Sequence, residues 1–389
     1  MIPKFRFSLL VFLLLGLTQS TVFSQSGLVM SGAEPVDLIL DDYISTQQIT
    51  GASIAIAKDG NLFYTKGFGT ADEATSLPMQ PYNRLRIAGL SKTITAIAIY
   101  QLIEDGSLEL DDKVFGEDGI LNTTTYLSFD ITDDRVYDIT IQQLLEHSAG
   151  WDASEDCLPF SNNGCDPIFF PLEASSALGA SNPASTSTLI GFALELGLEF
   201  DPGADFAYSN IGYLVLGEVI SEVAGQSYTA YVTENVFNPL NICDISAGNT
   251  LTALEREAFY NSSTTALSAF GGGETVSAPY GQFPLESLTS SNGWVANAED
   301  LLKILIDLND NNPTLLNTTS LQSLLTASSN NAAYANGIQV DNQGNIWSQG
   351  TLPGVTAAMG SNADGFTWVL LTNQDEFINS DVTADDDAT

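Results

Sequence analysis

Between Leu90 and Glu104 the sequence reads LSKTITAIAIYQLIE, a helix-length run that is apolar on almost every side and is halted by Asp105-Gly106. A helix with no polar face belongs in the middle of its protein. The rest of the chain must therefore wrap this segment from all directions. A helix carrying one reactive turn at its N-terminus would suit that central position.

The flanking sequence can supply the wrapping. Residues 51–57 (GASIAIA) and 61–68 (NLFYTKGF) are strand-like runs joined by Lys58-Asp59-Gly60, and Asp-Gly provides the positive φ of a tight hairpin. Thr140 and Gln143 form a capping box ahead of Ile141, Leu144 and Leu145, which predicts a short helix ending near Gly150. Residues 153–206, rich in Ser, Asn, Pro and Gly, read as irregular, and 248–290 as loop. Helices are predicted over 211–224 and 228–236, separated by Gly225 and closed by Pro239. Asn297 is expected to cap a helix over 298–308, with Asp300 in its first turn. Strands return at 336–340, 345–349, 354–360 and 366–372. This order predicts an α/β (α+β) fold. Its sheet comes from about 33–105 and 291–375, and a mostly helical region, about 106–290, is inserted between. Apolar residues at 44% and aromatic ones at 10% of the 389-residue chain are enough for such a core. A cleft between the two parts is where a small-molecule site is expected.

The N-terminus reads as an export signal. Lys4 and Arg6 precede an uncharged apolar stretch from Phe7 to Leu17, and Val22 and Ser24 stand three and one residues before Gln25. Residues 1–24 are therefore set apart, the chain is expected to be secreted or periplasmic, and no further stretch is long enough to span a membrane. Eleven basic residues against 48 acidic ones give a formal net charge of −37. That field repels nucleic acid and anionic membranes. It reads as a solvated, salt-tolerant surface, with cations or basic partners as the alternative. Cys157 and Cys165 flank a short loop and are expected to bridge locally, which leaves Cys243 as a small buried hydrophobe. No metal or organic cofactor is implied.

Six stretches then carry a family resemblance: GASIAIAKDGNLFYTKGFGTAD (51–72), RIAGLSKTITAIAIYQLIEDGSLELDDKV (86–114), ITIQQLLEHSAGW (139–151), PGADFAYSNIGYLVLGEVISEVAGQSY (202–228), SNGWVANAEDLLKIL (291–305) and QGTLPGVTAAM (349–359). In this order they resemble the class C β-lactamases, DD-peptidases and related serine esterases over about 33–374. The resemblance implies a β-lactamase/transpeptidase-like fold with an antiparallel sheet flanked by helices. It also implies a closing helix after Thr372-Asn373, where this chain instead continues as DEFINSDVTADDDAT, whose residues 376–389 read as an acidic tail.

Members of that family attack an acyl donor with the Ser of an S-x-x-K tetrad, since positions i and i+3 share a helix face and the lysine can take the hydroxyl proton. Here the tetrad is Gly89-Leu90-Ser91-Lys92. Lys92 holds the lysine position, and the nucleophile position is a glycine. Ser91 lies about 200° around the helix from position 89 and directly precedes Lys92, so spacing argues against it as a substitute. The resemblance places Tyr208 of Tyr208-Ser209-Asn210 in proton transfer with Lys92, and Asn210 on the substrate amide and the lysine. Without the resemblance, Tyr208 would read as a buried tyrosine and Asn210 as the cap of the helix at Ile211. The family's third motif, His-x-Gly or Lys-Thr-Gly, corresponds to Ser348-Gln349-Gly350. Gly350 permits close approach of a ligand to the strand. Ser348 can donate a hydrogen bond but brings no positive charge, and Thr351 offers a backbone N–H for an oxyanion. His147, the single histidine, reads as a structural residue closing a helix.

The leading functional expectation is a catalytically impaired binder of acyl-peptide, lactam or ester ligands, since no acyl-enzyme forms without an oxygen at position 89. The alternative is an active serine hydrolase, with Ser91, an activated water or a serine restored at 89 supplying the attack. The third is a secreted scaffold or adhesion domain, because fold alone does not settle function.

Overall fold

The computed structural model describes residues 27–29, 33–155 and 166–375. The export signal, the expected Cys157–Cys165 bridge and the acidic tail lie outside those residues. The main sheet takes its strands from both ends of this span. They are β1 (Gly27–Val29), β2 (Gly51–Lys58), β3 (Asn61–Asp72), β4 (Leu77–Pro78), β5 (Gln339–Val340), β6 (Ile346–Leu352), β7 (Val355–Ser361) and β8 (Phe366–Thr372). Their order is β1-β3-β2-β8-β7-β6-β5, with β4 beside β3, and every pairing is antiparallel. The β2–β3 hairpin turns where the sequence asks it to, with Asp59 at φ 49° and Gly60 at φ 74°. The fold is the β-lactamase/transpeptidase-like architecture that the resemblance implies.

One sheet face carries α1 (Glu34–Gln47) over a small core of Ile49, Ala52, Ile54, Tyr64 and Phe68. The other face meets the main core. There the apolar run becomes α2 (Ser91–Glu104), entered through a 3₁₀ turn at Ala88–Leu90. Every residue from Ser91 to Tyr100 is buried, as a helix without a polar face requires. Its threonines are satisfied internally: Thr93 donates to the Gly337 carbonyl and Thr95 to the Ser290 carbonyl. Besides a single turn at Thr124–Leu127, the further α-helices are α3 (Ile141–Leu145), α4 (Pro171–Ala177), α5 (Thr186–Leu196), α6 (Asn210–Ala224), α7 (Tyr228–Val232), α8 (Ala298–Leu308) and α9 (Thr318–Leu324). Of these, α6, α7 and α9 pack on α2, while α8 covers β2 and β8.

The Thr140–Gln143 capping box forms on α3, and Asn297 caps α8 by accepting from the Asp300 N–H at 2.8 Å. Three readings change. The stretch 153–206 is not irregular throughout, since α4 and α5 lie in it; α5 is capped by Ser185, and its small Ser, Thr and Gly residues concealed it from composition. The stretch 248–290 holds a short ribbon, Thr265–Leu267 against Thr275–Ser277. Cys243 is exposed rather than buried. Among the described residues no helix is long and apolar enough to cross a membrane.

Candidate active-site cleft

The entry to α2 is tightly built. Ala88 sits at φ +46°, a left-handed conformation that costs a Cβ-bearing residue roughly 1–2 kcal/mol. Gly89 follows, buried. A Cβ at position 89 would stand 3.0 Å from the Tyr208 hydroxyl, 3.0 Å from the Gln349 carbonyl oxygen and 3.4 Å from Gly350 Cα. A side chain there would press on these neighbours, which would have to give by a few tenths of an ångström. β5 covers only Ile346 and Trp347 of β6, so from Ser348 onward that strand's outer edge faces the Ala88–Leu90 turn. The approach is possible because residue 350 is glycine: a Cβ there would fall 2.3 Å from the Gly89 nitrogen and 2.9 Å from its Cα. The close backbone contact expected for a ligand at Gly350 is thus made by the protein's own Gly89 turn.

Lys92 lies below that turn and is 1% exposed. Its ammonium donates to Asn210 Oδ1 at 2.6 Å and to the Ser291 carbonyl at 3.2 Å, and stands 4.6 Å from the centroid of the Tyr208 ring. Asn292 donates to the same Asn210 oxygen at 2.7 Å, while Asn210 Nδ2 donates to Asp166 Oδ2 at 2.5 Å. Burial pulls the Lys92 pKa down to about 7 against the opposing attraction of Asp166, and burial pushes the Asp166 carboxyl up. An amine poised near neutrality can take a proton from a neighbouring hydroxyl.

Asn210 is therefore not the helix cap. Ser209 caps α6 by accepting from the Gly212 N–H, which releases the Asn210 side chain for the lysine. Tyr208 is not a buried tyrosine either: it is 36% exposed, with its hydroxyl toward Gly89. His147 accepts the Ser209 N–H on Nδ1, lies 2.9 Å from the Tyr334 hydroxyl through Nε2, and packs against the Tyr208 ring at 4.5 Å. Burial, then the nearby Lys92 charge, depresses its pKa well below the usual value, so it is a neutral buttress beneath Tyr208.

The Ser91 hydroxyl accepts from the Trp294 N–H at 3.4 Å in a fully buried position, turned to the backbone of strand Trp294–Ala296. Ser348 is largely buried on β6, and Thr351 is exposed. The structure thus brings Gly89, Lys92, Tyr208, Asn210 and Gly350 together and leaves Ser91 aside. Asp166 was missed. It follows directly on residues 156–165 with no periodic pattern around it, and only folding carries it to Asn210. A cavity of about 410 Å³, lined by Tyr126, Glu218 and Glu222 among others, contains none of these residues.

A buried helix whose first turn meets Lys, Tyr and Asn beside an antiparallel sheet edge is the scaffold of the penicillin-recognising serine hydrolases. The chain belongs to the Beta-lactamase family, whose profile matches residues 36–388. Among curated proteins it is 29% identical over 216 residues to Protein flp of Staphylococcus aureus (strain NCTC 8325 / PS 47), covering 55% of this chain and 38% of that one. It is 30% identical over 199 residues to the probable fimbrial assembly protein FimD, serogroup H1, of Dichelobacter nodosus, covering 51% and 44%. The chain thus spans less than half the length of these relatives. In structure it is similar to the octameric penicillin-binding protein homologue from Pyrococcus abyssi, with a TM-score of 0.66 and 21% identity over 88% of this chain and 73% of that one. It is also similar to the D-amino acid amidase from Ochrobactrum anthropi SV3 complexed with L-phenylalanine amide, at 0.65, 22%, 87% and 90%.

Proposed function

We propose that this chain is an exported Beta-lactamase-family protein that binds acyl-peptide, lactam or ester ligands without forming an acyl-enzyme. One observation carries the reading: position 89 offers no oxygen, and the Tyr208 hydroxyl and the β6 backbone fill its surroundings. The exposed Tyr208 hydroxyl, held over the buried Lys92–Asn210 pair, remains placed to meet an acyl group, with the Gly89 and Thr351 N–H groups as candidate donors to its carbonyl oxygen. Loss of a nucleophile removes about 10⁶-fold of rate in a comparable serine enzyme.

The test is covalent labelling with a fluorophosphonate reporter, read by intact-mass and peptide mass spectrometry. The unaltered chain should remain unlabelled, and Gly89→Ser should gain one adduct on the new serine once Tyr208 gives way by a few tenths of an ångström. An adduct on any hydroxyl of the unaltered chain would overturn the reading. Hydrolysis by an activated water is the second reading, favoured by the Lys92 amine poised near neutrality. Steady release of p-nitrophenol from a neutral aryl ester, abolished by Lys92→Met, would establish it.

A further inference from the structure

The charge layout of the cleft says which acyl ligands it accepts. A carboxylate entering a partly desolvated cleft needs a cation or several converging donors to replace its hydration. Lys4 and Arg6 lie in the N-terminal segment outside the described residues, and residues 156–165 contain neither Lys nor Arg. Of the described cations other than Lys92, Lys58 pairs with Asp59, Lys66 with Asp37, Arg86 with Glu257 and Lys113 with Asp138. Arg135 is held by Asp133 and Asp201, Arg256 by Asp244 and Lys303 by Asp300. Arg84 is buried and donates to Ser246. Apart from Arg84, whose partner is a neutral hydroxyl, each of these charges is paired with a carboxylate.

Lys92 cannot serve instead. It lies under the Tyr208 ring, with its donors turned to Asn210 and the Ser291 carbonyl, and the negative side of that cluster is Asp166. His147, the remaining candidate cation, is buried and bonded at both ring nitrogens. On β6, Ser348 lies on the same side of the strand as Gly350, which faces the Gly89 turn, while Gln349 and Thr351 alternate to the exposed side; all are uncharged. Outside, the chain's net charge of −37 opposes an approaching anion.

We infer that the cleft selects acyl ligands with no carboxylate beside the reacting carbonyl, namely neutral esters and amides, over carboxylate-bearing lactams and peptides. This rests on the ligand-binding reading above and adds the ligand's charge class to it. The discriminating position is Ser348, where a cation would lie on the strand facing the Gly89 turn.

The test uses benzylpenicillin and its methyl ester, a pair differing in that charge and one methyl group, titrated calorimetrically into the unaltered full-length chain. The ester is expected to bind at least tenfold tighter. Ser348→Lys should narrow or reverse the ratio. Ser348→Arg provides a second variant should the first fold poorly, and Gln349→Lys, whose side chain alternates to the opposite face of the strand, should leave the ratio unchanged. In the Gly89→Ser protein the acylation rates should show the same ester preference. Tighter binding of the free acid would overturn this inference alone. Binding of neither compound would sink it together with the ligand-binding reading. A preference that vanishes at high salt would trace it to the long-range field and overturn the assignment to the cleft.

Discussion

Lys92 and Asp166 flank the Asn210 amide, and burial presses both toward their neutral forms. For the lysine the consequence has a sign. In the unfolded chain it keeps its proton up to about pH 10.5, and in the folded protein only up to about 7. Between those values the unfolded state binds more protons, so this group makes stability rise with pH; below about 7 the folded protein bears the full cost of a buried ammonium. Lys92→Met removes that cost. Its stability relative to the unaltered chain should therefore fall by about 2 kcal/mol or more between about pH 6 and about pH 9.5, measured by urea unfolding. A pH-independent difference would mean that Lys92 titrates as it does in water. Gly89, Lys92, Tyr208 and Asn210 were legible in the sequence because they occupy short motifs with fixed spacing. Asp166 was not, since a lone carboxylate outside any motif carries no local signal.

α2 and β6 meet at a contact that only glycine allows. The Gly350 backbone takes an ordinary strand conformation, so its constraint is steric: a methyl group would overlap the Gly89 nitrogen and approach Ala88 Cβ at 3.0 Å. Gly350→Ala should destabilise the protein by about 1–3 kcal/mol, as overpacking of a fixed backbone contact does, and lower the Tm seen by calorimetry. An unchanged Tm would show that the turn can slide along β6. α2 itself was readable because an all-apolar run fixes both its conformation and its burial. α5 was not, because its Ser, Thr and Gly residues read as loop until the surrounding core excludes water from them. Local capping chemistry could not tell Ser209 from Asn210 as the cap of α6, since both residue types cap equally well in isolation; the cap is Ser209. The choice between them falls to Lys92, which takes the Asn210 amide.

Across the whole molecule, the described cations are largely locked in local pairs while a large excess of carboxylates remains exposed to one another. Such self-repulsion destabilises the compact state and is screened by ions. The Tm should rise by several degrees between about 0.05 M and about 0.5 M NaCl, and a falling Tm would show that the ion pairs outweigh the repulsion. From the sequence alone follow the central helix, the hairpin, the strands at both ends and the glycine where a nucleophile would stand, because each is encoded in contiguous residues through periodicity, turn chemistry or spacing. The tertiary structure alone decides that Tyr208 and β6 crowd position 89, that Asp166 completes the Lys92 cluster and that most of the other cations are paired with carboxylates. Those outcomes depend on residues far apart in the chain being desolvated together, and no local pattern records which charges will share a buried space.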